Sequence, residues 1–393
     1  MDDFSKKLIA DSRMILTGAE IHHLEDFGQL MSKFDLGSRD VVLTNRFIYQ
    51  PFMEEYKAEC NFVFQEDFGL SEPSEGMIEK IFDHIKYDSY DRVIAIGGGA
   101  IMDLGKLLGC RRPENVHEWF YKREPVVHEK PVIAVPTTCG TGSEVTNISV
   151  AIVRSELEGG VLTDGETKLG LVSDDIIPNI VVLIPSFLST LPYKPFITSA
   201  IDALVHATES YLSPQRKTLI SEMYSIRAME LLLIGLKKIA EEGQAARNDY
   251  LKEFLVGANL AGTAFLKAGC GTVHALSFPL GGTYHVPHGE SNYALFGKIL
   301  EIYEEYDPQG ELLNFKKLVS GILGCGVENA IPALNELLEA VCPLKPLKEY
   351  GFKEEDIVAF ADSVEANQQR LITNSYVQPW TKELSKRVYS ECF

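Results

Sequence analysis

Val93-Ile-Ala-Ile96-Gly97-Gly98-Gly99-Ala-Ile-Met-Asp103-Leu-Gly-Lys106 sets the fold class. Four β-branched or small apolar residues read as a strand buried on both faces, as in a parallel sheet. Three glycines follow, where the backbone can approach an anion closely. The next segment reads as a helix that points free N–H groups and the positive end of its dipole at that anion. A second strand, Pro131-Val-Ile-Ala-Val135, runs into Pro136-Thr137-Thr138-Cys139-Gly140-Thr141-Gly142-Ser143-Glu144-Val145-Thr146. This loop mixes glycines with hydroxyls able to bond phosphate, ribose or carboxamide oxygens. Neither loop has the Gly-x-Gly-x-x-Gly or Gly-Lys-Ser/Thr pattern. Two such loops, each leaving a strand, point to a bound nucleotide.

Outward from this pair, strand-like and helix-like segments alternate. Val41–Thr44 reads as a strand, and Met77–Ile85 has helical period. Ser149–Val153 and Val181–Ile184 read as further strands, forming a hairpin over the cofactor. Beyond Leu191-Pro192 strand signals give way to helical stretches at 221–242, 250–266 and 314–323. The expectation is an α/β dinucleotide-binding domain over 1–190, with a doubly wound, mainly parallel sheet. An all-helical metal and substrate domain is expected over 191–393.

The helical half holds four candidate metal ligands. Asp202 and His206 stand four apart in Ile201-Asp-Ala-Leu-Val-His206, so they share one helix face. His274 and His288 bracket a Gly/Pro/aromatic segment read as a loop. One carboxylate with three imidazoles suits Fe(II), Zn(II), Co(II) or Mn(II) and needs no thiolate. A single Asp/His pair at this spacing is usually a surface contact. Four of nine histidines falling between 206 and 288 favours a site.

Composition sets bounds. The chain has 393 residues, 45% apolar and 24% charged, as expected of a globular protein with a large core. A net charge of −19 without a basic patch argues against nucleic acid or anionic membrane as partners. Seven scattered cysteines, an odd number, fit reduced thiols in a cytoplasm. The N-terminus, Met1-Asp-Asp-Phe-Ser-Lys-Lys7, lacks an apolar signal core, and no run suits a membrane span.

Taken together, the motifs resemble the iron-containing (group III) alcohol dehydrogenase family, over essentially the whole chain. The carriers are Gly97-Gly98-Gly99-x-x-x-Asp103-x-x-Lys106, Pro136-Thr-Thr-x-Gly-Thr-Gly-Ser-Glu144-x-Thr146, Asp202-Ala-Leu-x-His206-Ala-x-Glu209, and Gly271-x-x-His274 with Pro287-His288-Gly289. The resemblance implies a dehydroquinate synthase-like architecture, NAD as cofactor, Fe2+ held by Asp202, His206, His274 and His288, and a homo-oligomer, a dimer. It implies cofactor contacts from Asn45, Gly97, Gly98, Gly99, Asp103, Thr137, Thr138, Thr141 and Thr146. Lys168 matches a lysine near ribose and nicotinamide. Its bland alternative is an exposed lysine at a strand end, as that of Asp103 is a helix N-terminus. Glu209 stands either behind a ligand or in a structural ion pair. Zn2+ suits the same four ligands.

A closer likeness within the family is carried by Leu43-Thr-Asn45, by Ser277–Glu290 and by Gln368-Gln-Arg370-Leu. It implies a short ω-hydroxy acid or its semialdehyde as substrate, 4-hydroxybutyrate and succinate semialdehyde foremost. A substrate carboxylate needs a cation, and Lys267, Arg370 and His285 are the candidates. Departures from the family pattern are informative. Asn45, followed by Arg46, replaces an acid that repels a 2′-phosphate, which leaves NADP open. Phe278 replaces a histidine associated with proton relay. His285 either takes over that role or is an ordinary loop histidine. A general primary-alcohol or diol dehydrogenase and a dehydroquinate synthase-like lyase stay open as alternatives.

Overall fold

The computed structural model describes residues 18–69, 72–157 and 161–393. The N-terminal stretch read as lacking a signal core lies outside these residues. The chain divides into two compact units. One comprises the described residues up to Thr138 together with Ser143–Leu191. The other comprises Cys139–Gly142 and Pro192–Phe393.

The first unit is built on a six-stranded, wholly parallel sheet. Its strands are β1 (Glu20–His23), β2 (Asp40–Thr44), β3 (Asn61–Phe64), β4 (Arg92–Gly97), β5 (Val132–Pro136) and, after a separate hairpin, β8 (Ile180–Leu183). Their spatial order is β1-β8-β5-β4-β2-β3. The central strands carry almost no polar side chains because both faces are covered. Val42, Ile94, Ile96, Ile133, Val135 and Val182 share one core with Phe27, Leu30 and Phe187. Helix α1 (Glu75–Ile85) starts where the Ser74 hydroxyl accepts from the Met77 N–H at 3.2 Å. Helix α2 (Gly99–Leu108) lies tightly on β4. A Cβ at Gly105 would meet Ala95 Cβ at 2.4 Å, so glycine is required by the close approach.

The sequence reading needs three corrections here. Ser149–Val153 does not pair with Val181–Ile184. It lies in β6 (Ile148–Leu157), which pairs antiparallel with β7 (Val161–Val172), while β8 joins the main sheet. In β7 charged residues and glycines break up the leucines and valines, so no apolar run marked it. The edge strands β1 and β3 were missed, being short and partly exposed. The segment from His274 is not a loop but a helix, because its first turns are buried and packing overrides the poor propensity of Pro279 and the glycines.

The second unit contains no strand among the described residues. Its main helices are α3 (Tyr193–Leu212), α4 (Leu219–Glu242), α5 (Leu251–Ala268), α6 (Thr272–Tyr284) and α7 (His288–Tyr306). Among the described residues no helix is long and apolar enough to cross a membrane.

Lys106 of α2 is fully buried and ties the hydroxyl-bearing loop to the sheet. Its ammonium donates to Ser143 O at 3.0 Å, to Ser143 Oγ at 2.6 Å and to Ile148 O, and pairs with Asp103 at 3.1 Å. Asp103 accepts in turn from Ser143 Oγ at 2.5 Å and from the Val150 N–H at 2.9 Å. Burial pulls the Lys106 ammonium below the usual lysine range, against the Asp103 and Glu144 carboxylates. Replacing Lys106 by Met leaves Asp103 without its counter-charge. The expected loss of unfolding free energy is about 3–5 kcal/mol, read from denaturant titration.

Candidate active site

In the helical unit, α3 presents Asp202 and His206 on one face, one turn apart. His274 comes from the start of α6, and His288 is the first residue of α7. One ligand atom from each lies within 4.8 Å of all the others. His206 Nε2 and His274 Nε2 are 3.0 Å apart, and His288 Nε2 is 3.8 Å from Asp202 Oδ1. Asp202, His206 and His274 are buried, whereas the His288 side chain is 35% exposed, which puts the solvent side of the cluster at His288. Gly289 allows the approach of α7 to α3: a Cβ there would meet Thr198 O at 2.5 Å and Asp202 Cβ at 3.1 Å.

The electrostatics suit a divalent cation. Burial holds His274 well below the usual imidazole range, and it lowers His206 as well. Both rings are therefore neutral, the form that ligates. Burial alone would push the Asp202 carboxyl up. The charge that His206, His288 and His274 carry when protonated, and the Asn292 amide, outweigh it, so Asp202 is held low. His274 Nδ1 lies 2.6 Å from Glu209 Oε2, while Glu209 Oε1 accepts from the Val273 N–H at 2.6 Å. With Nδ1–H committed to Glu209, the His274 Nε2 lone pair faces the cluster. Burial raises the Glu209 carboxyl, to about 7, against the N–H groups of Gly271 and Val273. One carboxylate and converging imidazoles fit a divalent metal ion.

Asn292 was not singled out in the sequence. Its Nδ2 donates to Asp202 Oδ1 at 2.7 Å and lies 3.1 Å from His274 Nε2 and 3.3 Å from His288 Nε2. Its spacing of four from His288 was the available signal. Glu209, Cys270 and His274 also converge, but burial keeps the Cys270 thiol well above its usual range and so protonated. Phe278 sets its ring centroid 6.4 Å from that of His288. His285 is exposed at the C-terminal end of α6 with φ +53°, outside the converging set. Lys267 and Arg370 are exposed.

In the sheet unit, Gly97 ends β4, and Gly98 caps α2 without a side-chain bond. The first N–H groups of α2 are thus left without a capping side chain, at the carboxyl end of a parallel strand. That arrangement fits a pyrophosphate. The Thr137 N–H donates to Gly97 O at 2.9 Å, joining the two loops. Thr138 is half-buried beside Gly98, with Cγ2 3.2 Å from a Cβ position there. Thr146 is buried against Ser143 O, and Asp103 is taken up by Ser143, Val150 and Lys106. Thr141 falls in the helical unit. Lys168 lies on β7 and pairs with Glu72 at 2.7 Å. Asn45 Nδ2 donates to Gln65 Oε1 at 3.3 Å.

The metal cluster makes two testable demands. His274→Ala and His288→Ala should each strip the ion while the fold survives, read by elemental mass spectrometry and circular dichroism. Glu209→Gln, which keeps shape but weakens the acceptor behind His274, should loosen metal binding about 10- to 100-fold in a chelator competition.

Comparison with known proteins agrees with this architecture. Residues 14–185 match the iron-containing alcohol dehydrogenase profile, and residues 196–391 match the C-terminal profile of the Fe-containing alcohol dehydrogenase family. The chain is 42% identical over 381 residues to 4-hydroxybutyrate dehydrogenase of Clostridium kluyveri, covering 97% of this chain and 100% of that one. It is 34% identical over 229 residues to long-chain-alcohol dehydrogenase 1 of Geobacillus thermodenitrificans, covering 56% and 54% of the two chains. Among solved structures, sulfoacetaldehyde reductase of Bifidobacterium kashiwanohense, in complex with NAD+, shares the fold. The TM-score is 0.79 at 21% identity, over 95% of this chain and 96% of that one. The chain belongs to the iron-containing alcohol dehydrogenase family.

Proposed function

We propose that the chain is a metal-dependent, NAD-linked dehydrogenase that interconverts 4-hydroxybutyrate and succinate semialdehyde. The observation that carries the chemistry is the convergence of Asp202, His206, His274 and His288 within 4.8 Å, with Glu209 fixing His274 from behind. The substrate follows from likeness over the full length to the clostridial enzyme. Fe(II) is the family's ion. Zn(II) suits the same donors at least as well by the usual affinity order. A divalent ion held there supplies a Lewis acid for the substrate oxygen, and a nicotinamide supplies the hydride exchange. NAD is assigned to the loops at Gly97–Gly99 and Thr137–Thr138, and Lys168 to the ribose and nicotinamide end.

The protein's own residues must hold the substrate and move its proton. Asn292 and Glu209 keep Asp202 and His274 aimed at one point. Phe278, beside His288, offers an apolar surface for a short methylene chain. His285 is assigned to carry the hydroxyl proton toward solvent. For the substrate carboxylate we select Arg370 over Lys267. Its guanidinium has no ion pair among the described residues, and its charge acts on Cys270, which converges with Glu209 and His274. The segment behind it is fixed: Asn374 donates to Ala268 O at 3.0 Å and Cys270 O at 2.9 Å. The scattered cysteines, none of them in a disulfide, support a cytoplasmic placement. A homo-oligomer follows the family pattern.

The substrate reading is tested by kcat/KM for succinate semialdehyde against butanal. A charge-assisted contact to the substrate carboxylate predicts a preference of roughly 10-fold or more for the semialdehyde. Arg370→Gln should remove that preference and leave butanal unchanged. Equal efficiency in the unaltered enzyme would make it a general primary-alcohol dehydrogenase.

A further inference from the structure

The loss of an acid at position 45 leaves the choice between NAD and NADP to other residues, and the ends of three adjacent strands show which. β4, β2 and β3 are neighbours in that order, with Leu43 beside Ala95 and Thr44 beside Phe64. Their carboxyl ends therefore carry, side by side, the Gly97–Gly99 turn, Asn45-Arg46 and Gln65-Glu66-Asp67. In an open parallel sheet this is the edge along which a nucleotide lies.

Arg46 is the residue that would welcome a 2′-phosphate, but its fork is occupied. Nη2 donates to Asp67 Oδ2 at 2.9 Å, and Nη1 pairs with Asp67 Oδ1 at 2.9 Å. The guanidinium also stacks 4.4 Å above the Phe64 ring. A planar guanidinium held at both prongs and on one face has little left for a phosphate. Asn45 is turned to Gln65. Glu66 is placed differently. Its Oε1 accepts from the Arg46 backbone N–H at 2.9 Å, which fixes the carboxylate beside the end of β2. Its Oε2 is shielded from water and has no hydrogen-bond partner. With Arg46 and Asp67 cancelling, Glu66 leaves the patch with one uncompensated negative charge.

We propose that Glu66 is the specificity-determining residue for the cofactor in this chain. It supplies, from the turn that follows β3, the negative charge missing from the end of β2. Held in place by the Arg46 N–H, its carboxylate repels a 2′-phosphate. The inference rests on the assignment of NAD to the Gly97–Gly99 turn.

Calorimetric titration of the full chain with ADP-ribose and with 2′-phospho-ADP-ribose tests it without turnover. The unaltered protein should bind ADP-ribose more tightly, by at least about tenfold. Glu66→Gln keeps the shape and the Arg46 contact, and it should reduce that ratio by about 10- to 100-fold. Adding Asn45→Asp to Glu66→Gln should restore the preference, which loss of fold could not do. Asp67→Asn, which releases the Arg46 fork, should by itself tighten 2′-phospho-ADP-ribose. A ratio changed less than twofold by Glu66→Gln, in protein that still binds ADP-ribose, overturns the role of Glu66. Failure of the unaltered protein to bind either ligand overturns instead the nucleotide assignment beneath it.

Discussion

Burying a carboxylate and two imidazoles in the centre of a helical unit is costly unless their lone pairs are satisfied. That constraint organises the second half of the chain. Asp202 and His206 sit within the long helix α3, where neighbouring positions are apolar and fully covered. His274 and His288 arrive from two further helix starts, so three separate elements must pack in register for the donors to meet. Gly289 removes the side chain that would hold α7 away from α3. Glu209 satisfies the outward Nδ1 of His274, and the Asn292 amide lies against the inward atoms of Asp202, His274 and His288. A cation attracts all four donors at once and repays the burial that water cannot.

The sheet unit solves a different problem with the same economy of contacts. The Gly97–Gly99 turn presents backbone N–H groups without a capping side chain, so the side chains around it are free to brace it. Asp103 and Lys106, spaced one turn apart on α2, brace the hydroxyl-bearing loop and the base of the β6–β7 hairpin. A resemblance between sequences counts both as motif residues. In the structure both are engaged with the loop through Ser143.

The legible parts of the fold were those with one dominant signal. Val93–Ile96 and Val132–Val135, apolar throughout, read correctly as buried parallel strands, and the i, i+4 spacing placed Asp202 and His206 together. β7 was illegible because Asp164, Gly165, Glu166 and Lys168 interrupt it and leave only the short Leu169–Leu171 alternation as an apolar signal. α6 was read as a loop because local propensity disagreed with its burial. Asn292 escaped because an asparagine carries no ligand signature. Its function lies in a distance to Asp202 across 90 positions of sequence.

The central claim is a metal centre of one carboxylate and three imidazoles, without sulfur. X-ray absorption at the iron edge, on metal-stripped chain reloaded anaerobically with one equivalent of Fe(II), tests it most directly. The account predicts a first shell of nitrogen and oxygen only, with the outer-shell scattering of several imidazole rings. A sulfur scatterer in that shell would contradict it, because the ion would then sit with Cys270 and Glu209 on the far side of His274.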